Sequence, residues 1–237
     1  MNLILLKPGE ISGGHARLTG RRFIHVRDVL KSAPGDILRT GVLGGARYAA
    51  HVVRITPDSC EIAIGAESDA LPVCGVDVLL ALPRPKCLKR ILPQIAALGV
   101  GRLYIAGAEK VEKNYWGSRY LLPDEYQPLL EEGLEQSGGT LPPEIIVSRR
   151  LKPLLEDEIA ARYADARKII AHVAAENADA ETLPDARRTI IAIGPEGGWT
   201  EYELAMFGRL DFTRFAIGLR ILRTDTAVVA TVARFIR

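Results

Sequence analysis

The sequence predicts an α/β protein of two domains, a small antiparallel sheet or barrel followed by a larger domain with a parallel sheet. Residues 35–66 form short segments of alternating apolar and polar residues bounded by Gly, Pro or Asp, a pattern typical of antiparallel strands. After Pro72 the apolar residues occur in compact aliphatic runs separated by helical segments, which is typical of parallel strands buried on both faces. We therefore expect one domain over residues 1–72 and a second over residues 73–237.

Helices are predicted from spacing and end signals. Phe23, Val26 and Leu30 recur at helical spacing before the Pro34–Gly35 pair, which ends that helix. Thr200 and Glu203 form a capping box, with Trp199 and Leu204 placed as its hydrophobic staple, so another helix begins there. The last helix follows a strand over 212–216 and carries Val228, Val229 and Val232 on its apolar face, and either Thr224 or Asp225 can cap it. The other predicted strands are residues 36–41, 48–55, 60–65, 76–82, 103–106, 168–174 and 189–194.

The composition is that of a globular protein without a membrane span. Of 237 residues, 48% are hydrophobic and 25% charged, which allows a buried core. No apolar run approaches the roughly 18 residues of a membrane helix, and the first residues lack the order of a secretory signal, so we expect a cytoplasmic protein. Three cysteines without a C-x-x-C pair and four scattered histidines predict neither disulfides nor a metal site.

Positive charge is concentrated in two places although the formal net charge is only +2. Residues 17–54 contain eight basic residues against two acidic ones, which predicts a basic first domain. A second cluster stands at the start of a helix, where cations oppose the helix dipole and so indicate either a phosphate ligand or a solvated face. The basic residues in these two regions that we predict to bind a polyanionic partner are Arg17, Arg21, Arg22, Arg27, Arg84, Lys86, Lys89 and Arg90.

Two loops at the ends of predicted strands are candidates for ligand binding. Residues 194–198, with a proline and adjacent glycines, bring bare backbone to the edge of a parallel sheet, where ligands usually bind. The alternative is a tight turn that needs glycine for its backbone angles. Residues 217–227 place Arg220 and Arg223 between apolar residues just before the last helix, an arrangement that capping alone does not explain.

These loops carry a family resemblance. The segments Gly-Pro-Glu-Gly-Gly-Trp-Thr-Glu-Tyr-Glu at 194–203 and Gly-Leu-Arg-Ile-Leu-Arg-Thr-Asp-Thr-Ala at 218–227 resemble the paired C-terminal motifs of the RsmE family of SPOUT methyltransferases, which methylate N3 of a uridine in small-subunit ribosomal RNA. Residues 22–36 resemble the family's N-terminal PUA-like segment, and residues 97–100 and 135–138 resemble its middle motifs. The resemblance thus covers nearly the whole chain.

The resemblance implies a PUA-like RNA-binding β-barrel over 1–72, a SPOUT domain over 73–237 with a deep trefoil knot over about 170–237, and a homodimer. It also implies S-adenosylmethionine (S-adenosyl-L-methionine) as cofactor, held mostly by backbone of the knot, although a core role explains His172 equally well. The residues thereby assigned to the cofactor are His172, Val173, Ile193, Gly194, Pro195, Glu196, Gly197, Gly198, Ile217, Gly218, Leu219, Ile221, Leu222, Arg223, Thr224, Thr226 and Ala227.

For the reaction we hypothesise that Arg223 stabilises negative charge developing on the uracil. Asp225 or Glu196 would then assist deprotonation of N3 or hold Arg223 in place, unless Asp225 is only a helix cap. The chain departs from the family pattern at Ala97 and Gly139, where the family usually has glutamate and arginine, and at Asp225, which keeps the carboxylate of the usual glutamate.

Those departures leave two alternatives open, a non-catalytic RNA-binding or ribosome-assembly factor that retains the SPOUT fold, and a SPOUT methyltransferase with another RNA target. An unrelated enzyme that binds a nucleotide phosphate through the glycine loop is disfavoured. The sequence has neither a Walker lysine loop nor a dinucleotide-binding fingerprint.

Overall fold

The computed structural model describes residues 2–172 and 188–236. Its first sheet has five strands in the order β1-β3-β4-β5-β2, all antiparallel except the β1–β3 pair. The three predicted strands of this domain are present as β3, β4 and β5, whereas β1 and β2, at the two edges, were not predicted. The strands are β1 Ile4–Leu6, β2 His15–Leu18, β3 Ile37–Val42, β4 Arg47–Ile55 and β5 Cys60–Ser68.

The second sheet has six strands in the order β11-β9-β10-β6-β7-β8, and every pair is parallel. The prediction of a parallel sheet in an α/β domain is therefore confirmed, while the edge strand β8 was missed. The knot expected over about 170–237 stays a prediction, since residues 173–187 lie outside the described part of the chain. The strands are β6 Val76–Ala81, β7 Arg102–Ala106, β8 Glu144–Ser148, β9 Arg167–Ala171, β10 Thr189–Ile193 and β11 Thr213–Phe215.

The helices largely follow the predicted positions. The first, α1, continues into a π-helical turn that ends at Val29, and of the three spaced residues Phe23 and Val26 are buried whereas Leu30 is exposed. The last helix begins with Arg223 at the cap position without a side-chain cap, so the prediction that Thr224 or Asp225 caps it is wrong. The α-helices are α1 Gly20–Ile24, α2 Pro85–Ala97, α3 Pro123–Ser137, α4 Leu151–Pro153, α5 Ala160–Arg162, α6 Glu201–Gly208 and α7 Thr224–Phe235. Among the described residues no helix is both long and apolar enough to span a bilayer.

Strand β6 shows why its aliphatic run is continuous. Val78 and Leu80 pack into one core with helices α2, α3 and α7, while Leu79 and Ala81 pack into a second core on the opposite face. Alternate side chains of a strand point to opposite faces, so a strand covered on both sides is mostly apolar. The exception in β6 is the buried Asp77, whose carboxylate pairs with Arg188 and accepts a hydrogen bond from the Tyr163 hydroxyl. The carboxyl ends of these strands meet at one edge of the sheet, where the candidate site lies.

Strand β1 belongs to the five-stranded sheet and links the hydrophobic cores of the two sheets. Leu3 and Leu5 are buried in the core beneath α2 and α3, whereas Ile4 and Leu6 are buried in the core of the five-stranded sheet. The strand's two faces therefore belong to two different cores. Backbone hydrogen bonds from Asn2 and Leu3 to the carbonyl oxygen of Glu135 fix β1 against α3.

Polar contacts reinforce this junction. The Arg21 guanidinium pairs with the carboxylate of Glu135, whose side chain is only 4% exposed. Thr140 donates a 2.6 Å hydrogen bond to the carbonyl oxygen of Gly45, and a Cβ at Gly41 would overlap the Thr140 methyl group. The close approach at Gly41 explains why a residue without a side chain stands there.

Candidate cofactor pocket and nucleic-acid interface

A cavity of about 910 Å³ opens at the carboxyl edge of the parallel sheet. Its walls come from the end of β9, the loop after β10, the loop after β11 and the first turns of α2 and α7. This volume lies in the range of cofactor sites. The residues that line it are Arg84, Lys86, Cys87, Arg90, Ala171, His172, Ile193, Gly194, Pro195, Glu196, Gly197, Gly198, Trp199, Phe215, Ala216, Ile217, Gly218, Arg220, Ile221, Leu222, Arg223, Thr224, Asp225, Ala227 and Thr231.

Most of the residues assigned to the cofactor from the sequence lie in this lining. Leu219 and Thr226 do not line the cavity. Leu219 is 98% exposed, and Thr226 is exposed on α7. Val173 lies outside the described residues. No sequence motif indicated Cys87 and Thr231 as pocket residues, because both are small residues inside ordinary helical patterns. Only the packing of α2 against α7 brings them to the pocket.

The glycine loop is a tight turn and also a wall of the cavity, so the turn is confirmed and ligand binding by the loop stays a prediction. Gly198 has φ +68° and its N–H donates to the carbonyl oxygen of Pro195. The loop then enters α6 through the predicted capping box, which is confirmed. The Glu203 N–H donates to Thr200 Oγ1, and the Thr200 N–H donates a 2.8 Å hydrogen bond to Glu203 Oε2.

A second segment, residues 108–117 after β7, braces the glycine loop. The other oxygen of Glu203, Oε1, accepts a 2.8 Å hydrogen bond from the Glu109 N–H. Lys110 Nζ donates a 2.9 Å hydrogen bond to the Gly197 carbonyl oxygen. A Cβ at Gly197 would lie 3.0 Å from the Lys110 side chain. No sequence motif indicated this segment, because its partners are about ninety residues away along the chain.

The two candidate catalytic carboxylates are both engaged. Glu196 Oε1 accepts a 3.1 Å hydrogen bond from the backbone N–H of Arg84 at the start of α2, where the helix dipole favours a negative charge. Asp225 Oδ2 accepts a 2.8 Å hydrogen bond from Arg90 Nε. Among the described residues neither carboxylate bonds to Arg223, so the structure does not show either of them holding that arginine in place.

The pKa of Asp225 bears on its role. Partial burial of the carboxyl acts to raise its pKa, but the hydrogen bond and charge of Arg90 outweigh burial and leave the pKa below its ordinary value. A general base works best with a pKa near the operating pH. Asp225 is therefore a weak base at neutral pH.

Three residues of the cavity lining, Cys87, Trp199 and Thr231, have buried polar groups. Burial, with the nearby carboxylates of Asp225 and Glu196, raises the pKa of the Cys87 thiol to about 11, so it stays protonated and is a poor nucleophile. Thr231 Oγ1 and Trp199 Nε1 are buried and have no hydrogen-bond partner in the protein. A buried donor without a partner is costly, so both groups indicate a polar ligand in the cavity.

The predicted RNA-binding residues differ in the contacts that they make within the protein. Arg22 is largely buried and forms a two-point ion pair with Glu10, and Arg21 pairs with Glu135, so both have structural partners. Arg21 and Arg17 are the most exposed of these four, at 65% and 66%, and Arg17 pairs with Asp58. Arg27 is 46% exposed, pairs with Asp28 and lies over the Phe23 ring. Arg84, Lys86 and Arg90 line the cavity, and Lys89 stands 6.0 Å from the centre of the Tyr120 ring.

The departures at Ala97 and Gly139 lie away from the cavity. Ala97 is the last residue of α2, roughly 18 Å along the helix from Pro85 at 1.5 Å per residue. Gly139 follows α3 beside Leu134 and Ser137. Neither residue lines the cavity. In the described ranges no cluster of three His, Cys, Asp or Glu residues is arranged to hold a metal ion.

Comparison with known proteins gives a consistent assignment. The family model described as an RNA methyltransferase domain matches residues 69–236. The ribosomal RNA small subunit methyltransferase E of Treponema pallidum is 28% identical, with 98% of this chain and 90% of that protein covered. The structure of the corresponding Neisseria gonorrhoeae enzyme bound to S-adenosyl methionine superposes with a TM-score of 0.77 at 21% identity, covering 98% and 95% of the two chains. A putative methyltransferase from Legionella pneumophila, in complex with the same cofactor, gives 0.74 at 20% identity, covering 98% and 95%.

Proposed function

Because the chain belongs to the RNA methyltransferase domain family, we propose that it transfers a methyl group from S-adenosylmethionine to N3 of a uridine in small-subunit ribosomal RNA. The single observation that carries the proposal is the cavity at the carboxyl edge of the parallel sheet, built from both motif loops. The substrate class follows the relatives named for small-subunit ribosomal RNA, which match nearly the full length of this chain. The proposal includes a cytoplasmic location, where ribosomal RNA would be its substrate.

The cavity fits this cofactor by its volume and by the chemistry of its lining. Apolar walls from Ile193 and Phe215 suit an adenosyl group, and the unpartnered Thr231 Oγ1 and Trp199 Nε1 offer hydrogen bonds to its polar atoms. Backbone of the glycine loop approaches without side chains in the way. When bound, S-adenosylmethionine supplies a methyl group on a sulfonium, which a nucleophile takes up without covalent help from the protein.

The residues at the rim then serve orientation and charge. Arg223 is exposed beside the pocket and stabilises the negative charge on the uracil as N3 loses its proton. Glu196 holds the start of α2 and Asp225 holds Arg90, so both carboxylates act by positioning, and the N3 proton leaves to water. Holding the reactants in line can recover roughly 7–11 kcal/mol of the barrier, which makes positioning the main contribution.

RNA binding would be strongly electrostatic. The exposed Arg17 and Arg27 of the N-terminal domain, residues 1–72, and the cations of α2 would contact phosphates. The affinity should then fall with salt at a logarithmic slope of about −0.7 per neutralised phosphate on a single strand. A uridine N3 is hidden in a base pair, so the target must be unpaired or flipped out.

A homodimer is part of the proposal. Three apolar side chains beside the cavity are exposed to solvent, Ile217 by 47%, Leu219 by 98% and Ile221 by 86%. A cluster of this kind on a loop next to a binding site is typical of a surface that a partner covers. A second copy of the chain is the occupant that the proposal assigns to it.

The test compares nucleosides from cells with and without the gene by mass spectrometry. We expect N3-methyluridine in small-subunit ribosomal RNA to disappear without the gene and to return with the wild-type protein. Arg223→Ala should fail to restore it, whereas Arg209→Ala, an exposed arginine at the end of α6, should restore it fully. Unchanged N3-methyluridine in the deletion strain would overturn the proposal, and a protein that binds S-adenosylmethionine but transfers nothing would be the non-catalytic alternative.

A further inference from the structure

Arg84 is held by a chain of side chains that no motif marks. Tyr115, which is 9% exposed, accepts a 3.1 Å hydrogen bond from Arg84 Nε through its hydroxyl oxygen. The same hydroxyl donates a 2.8 Å hydrogen bond to Glu112 Oε1. Since a tyrosine hydroxyl has one proton, its donation to Glu112 leaves its oxygen free to accept from the arginine. Glu112 thus orients the hydroxyl that orients Arg84.

Arg84 is fixed at its backbone as well. Its N–H donates to Glu196 of the glycine loop, so the residue is anchored at both its backbone and its side chain. The guanidinium has five N–H donors, and Nε carries only one of them. Among the described residues no other side chain bonds to this guanidinium, which leaves the four donors of the two terminal amino groups at the rim of the cavity.

The surroundings of Arg84 favour an anion. It stands at the cap position of α2, whose first turn contains no acidic residue, and Lys86 lies in the same turn. The positive end of the helix dipole and these cations add in the same direction, while the carboxylates of Glu196 and Glu112 offset part of this positive charge. A guanidinium that is already oriented loses less rotamer entropy when it binds a phosphate, and its planar fork matches the oxygens of a phosphodiester.

We propose that Glu112 and Tyr115 are positioning residues that aim the Arg84 guanidinium at a backbone phosphate of the RNA strand carrying the target nucleotide. The inference rests on the proposed function and deepens it, because it names the group that fixes the RNA strand relative to the methyl donor. Arg84 is exposed to solvent although it lines the cavity, so we assign it to the RNA and not to the carboxylate of the cofactor.

The test uses Tyr115→Phe, which removes the hydroxyl and keeps the ring, with Tyr202→Phe as a matched control at an exposed tyrosine on α6. We expect Tyr115→Phe to raise the KM for RNA about 5- to 10-fold, because the variant loses a hydrogen bond to a charged group. Its kcat should stay within about 2-fold of wild type. S-adenosylmethionine affinity by calorimetry should stay unchanged. Glu112→Ala should shift KM in the same direction by a smaller factor, and Tyr202→Phe should not shift it.

Two further variants separate positioning from folding effects. In an Arg84→Ala background Tyr115→Phe should have no additional effect, and Arg84→Ala should reduce the salt slope of RNA binding by about one phosphate. Arg84→Lys should keep the slope but become insensitive to Tyr115→Phe, since lysine has no Nε–H for the hydroxyl. Additive effects of Tyr115→Phe and Arg84→Ala, or weaker cofactor binding in Tyr115→Phe, would overturn the inference. Direct RNA-binding titrations decide this even if the wild-type protein transfers no methyl group, which would contradict the proposed function alone.

Discussion

Arg90 on α2 donates a 2.8 Å hydrogen bond from Nε to the carboxylate of Asp225 in the first turn of α7. The pair joins two helices that pack against each other beside the cavity. Asp225 is the more buried partner, 16% exposed against 54%. The lowered pKa of Asp225 keeps the pair ionised throughout the neutral range. Its role is therefore to fix the helix that carries the rim cations relative to the loop that carries Arg223.

For this pair we expect Asp225→Asn and Arg90→Gln to reduce kcat/KM by similar factors, and the double variant to lose little more than either alone. The free energy of unfolding should change by less than about 1 kcal/mol, since the arginine is solvated. The kcat–pH profile of Asp225→Asn should keep the shape of the wild-type profile between pH 6 and 9. Loss of an acidic limb only in Asp225→Asn would instead show that this carboxylate accepts the N3 proton.

Thr231→Val tests the unpartnered hydroxyl in the cavity. Valine has nearly the same shape, so the change removes only the hydrogen-bonding group, and we expect S-adenosylmethionine to bind about 3- to 10-fold more weakly. Without cofactor the variant should be as stable as wild type or more stable, because the hydroxyl has no protein partner. Thr226→Val, on the same helix but outside the cavity lining, is the control. Equal cofactor affinity in both variants would show that Thr231 does not contact the ligand.

Gly198→Ala tests the turn of the glycine loop. A side chain at φ +68° costs about 1–2 kcal/mol, so the free energy of unfolding should fall by that amount and cofactor binding should weaken with it. Gly208→Ala is the matched control, since that glycine is helical, has no positive φ and has open space around its Cβ position. Urea denaturation should show Gly208→Ala to be neutral or stabilising. A harmless Gly198→Ala would mean that the loop relaxes into another turn.

Glu10 and Arg22 predict an acid-sensitive contribution to stability. The hydrogen bond from Arg22 lowers the pKa of Glu10, and burial opposes this only in part. Because the folded-state pKa is the lower one, the contribution is fully present above the unfolded pKa of about 4.5 and is lost as the pH falls through the folded value. The unfolding free energy of Glu10→Gln should therefore depend less on pH below about 4.5 than that of wild type. Glu67→Gln, an exposed position, serves as the control in urea titrations at several pH values.

Much of the fold was predictable because local patterns report burial. The aliphatic runs of β6, β7, β9 and β10 bury apolar side chains on both faces of the sheet. The capping box of Thr200 and Glu203 marks the start of α6. The edge strand β8 lacked such a signal, because its side chains are only partly buried. Strand β1 was too short to show a pattern in the sequence.

The partners of the site residues were not predictable in the same way. Glu196 and Arg84 are 112 positions apart, and Arg90 and Asp225 are 135 apart, so only the order of strands in the sheet brings them together. The sequence indicated the charged residues themselves but not the contacts that occupy them. The contact with Arg90 is the observation on which the proposal assigns Asp225 to positioning and not to deprotonation.

Strand β1 gives the molecule a particular response to unfolding. Because consecutive residues such as Leu5 and Leu6 belong to two different cores, neither core can open without withdrawing half of the strand from the other. The five-stranded sheet and the six-stranded sheet should therefore unfold in a single cooperative transition. A substitution that destabilises one sheet would then destabilise the other sheet as well and reduce the activity of the protein.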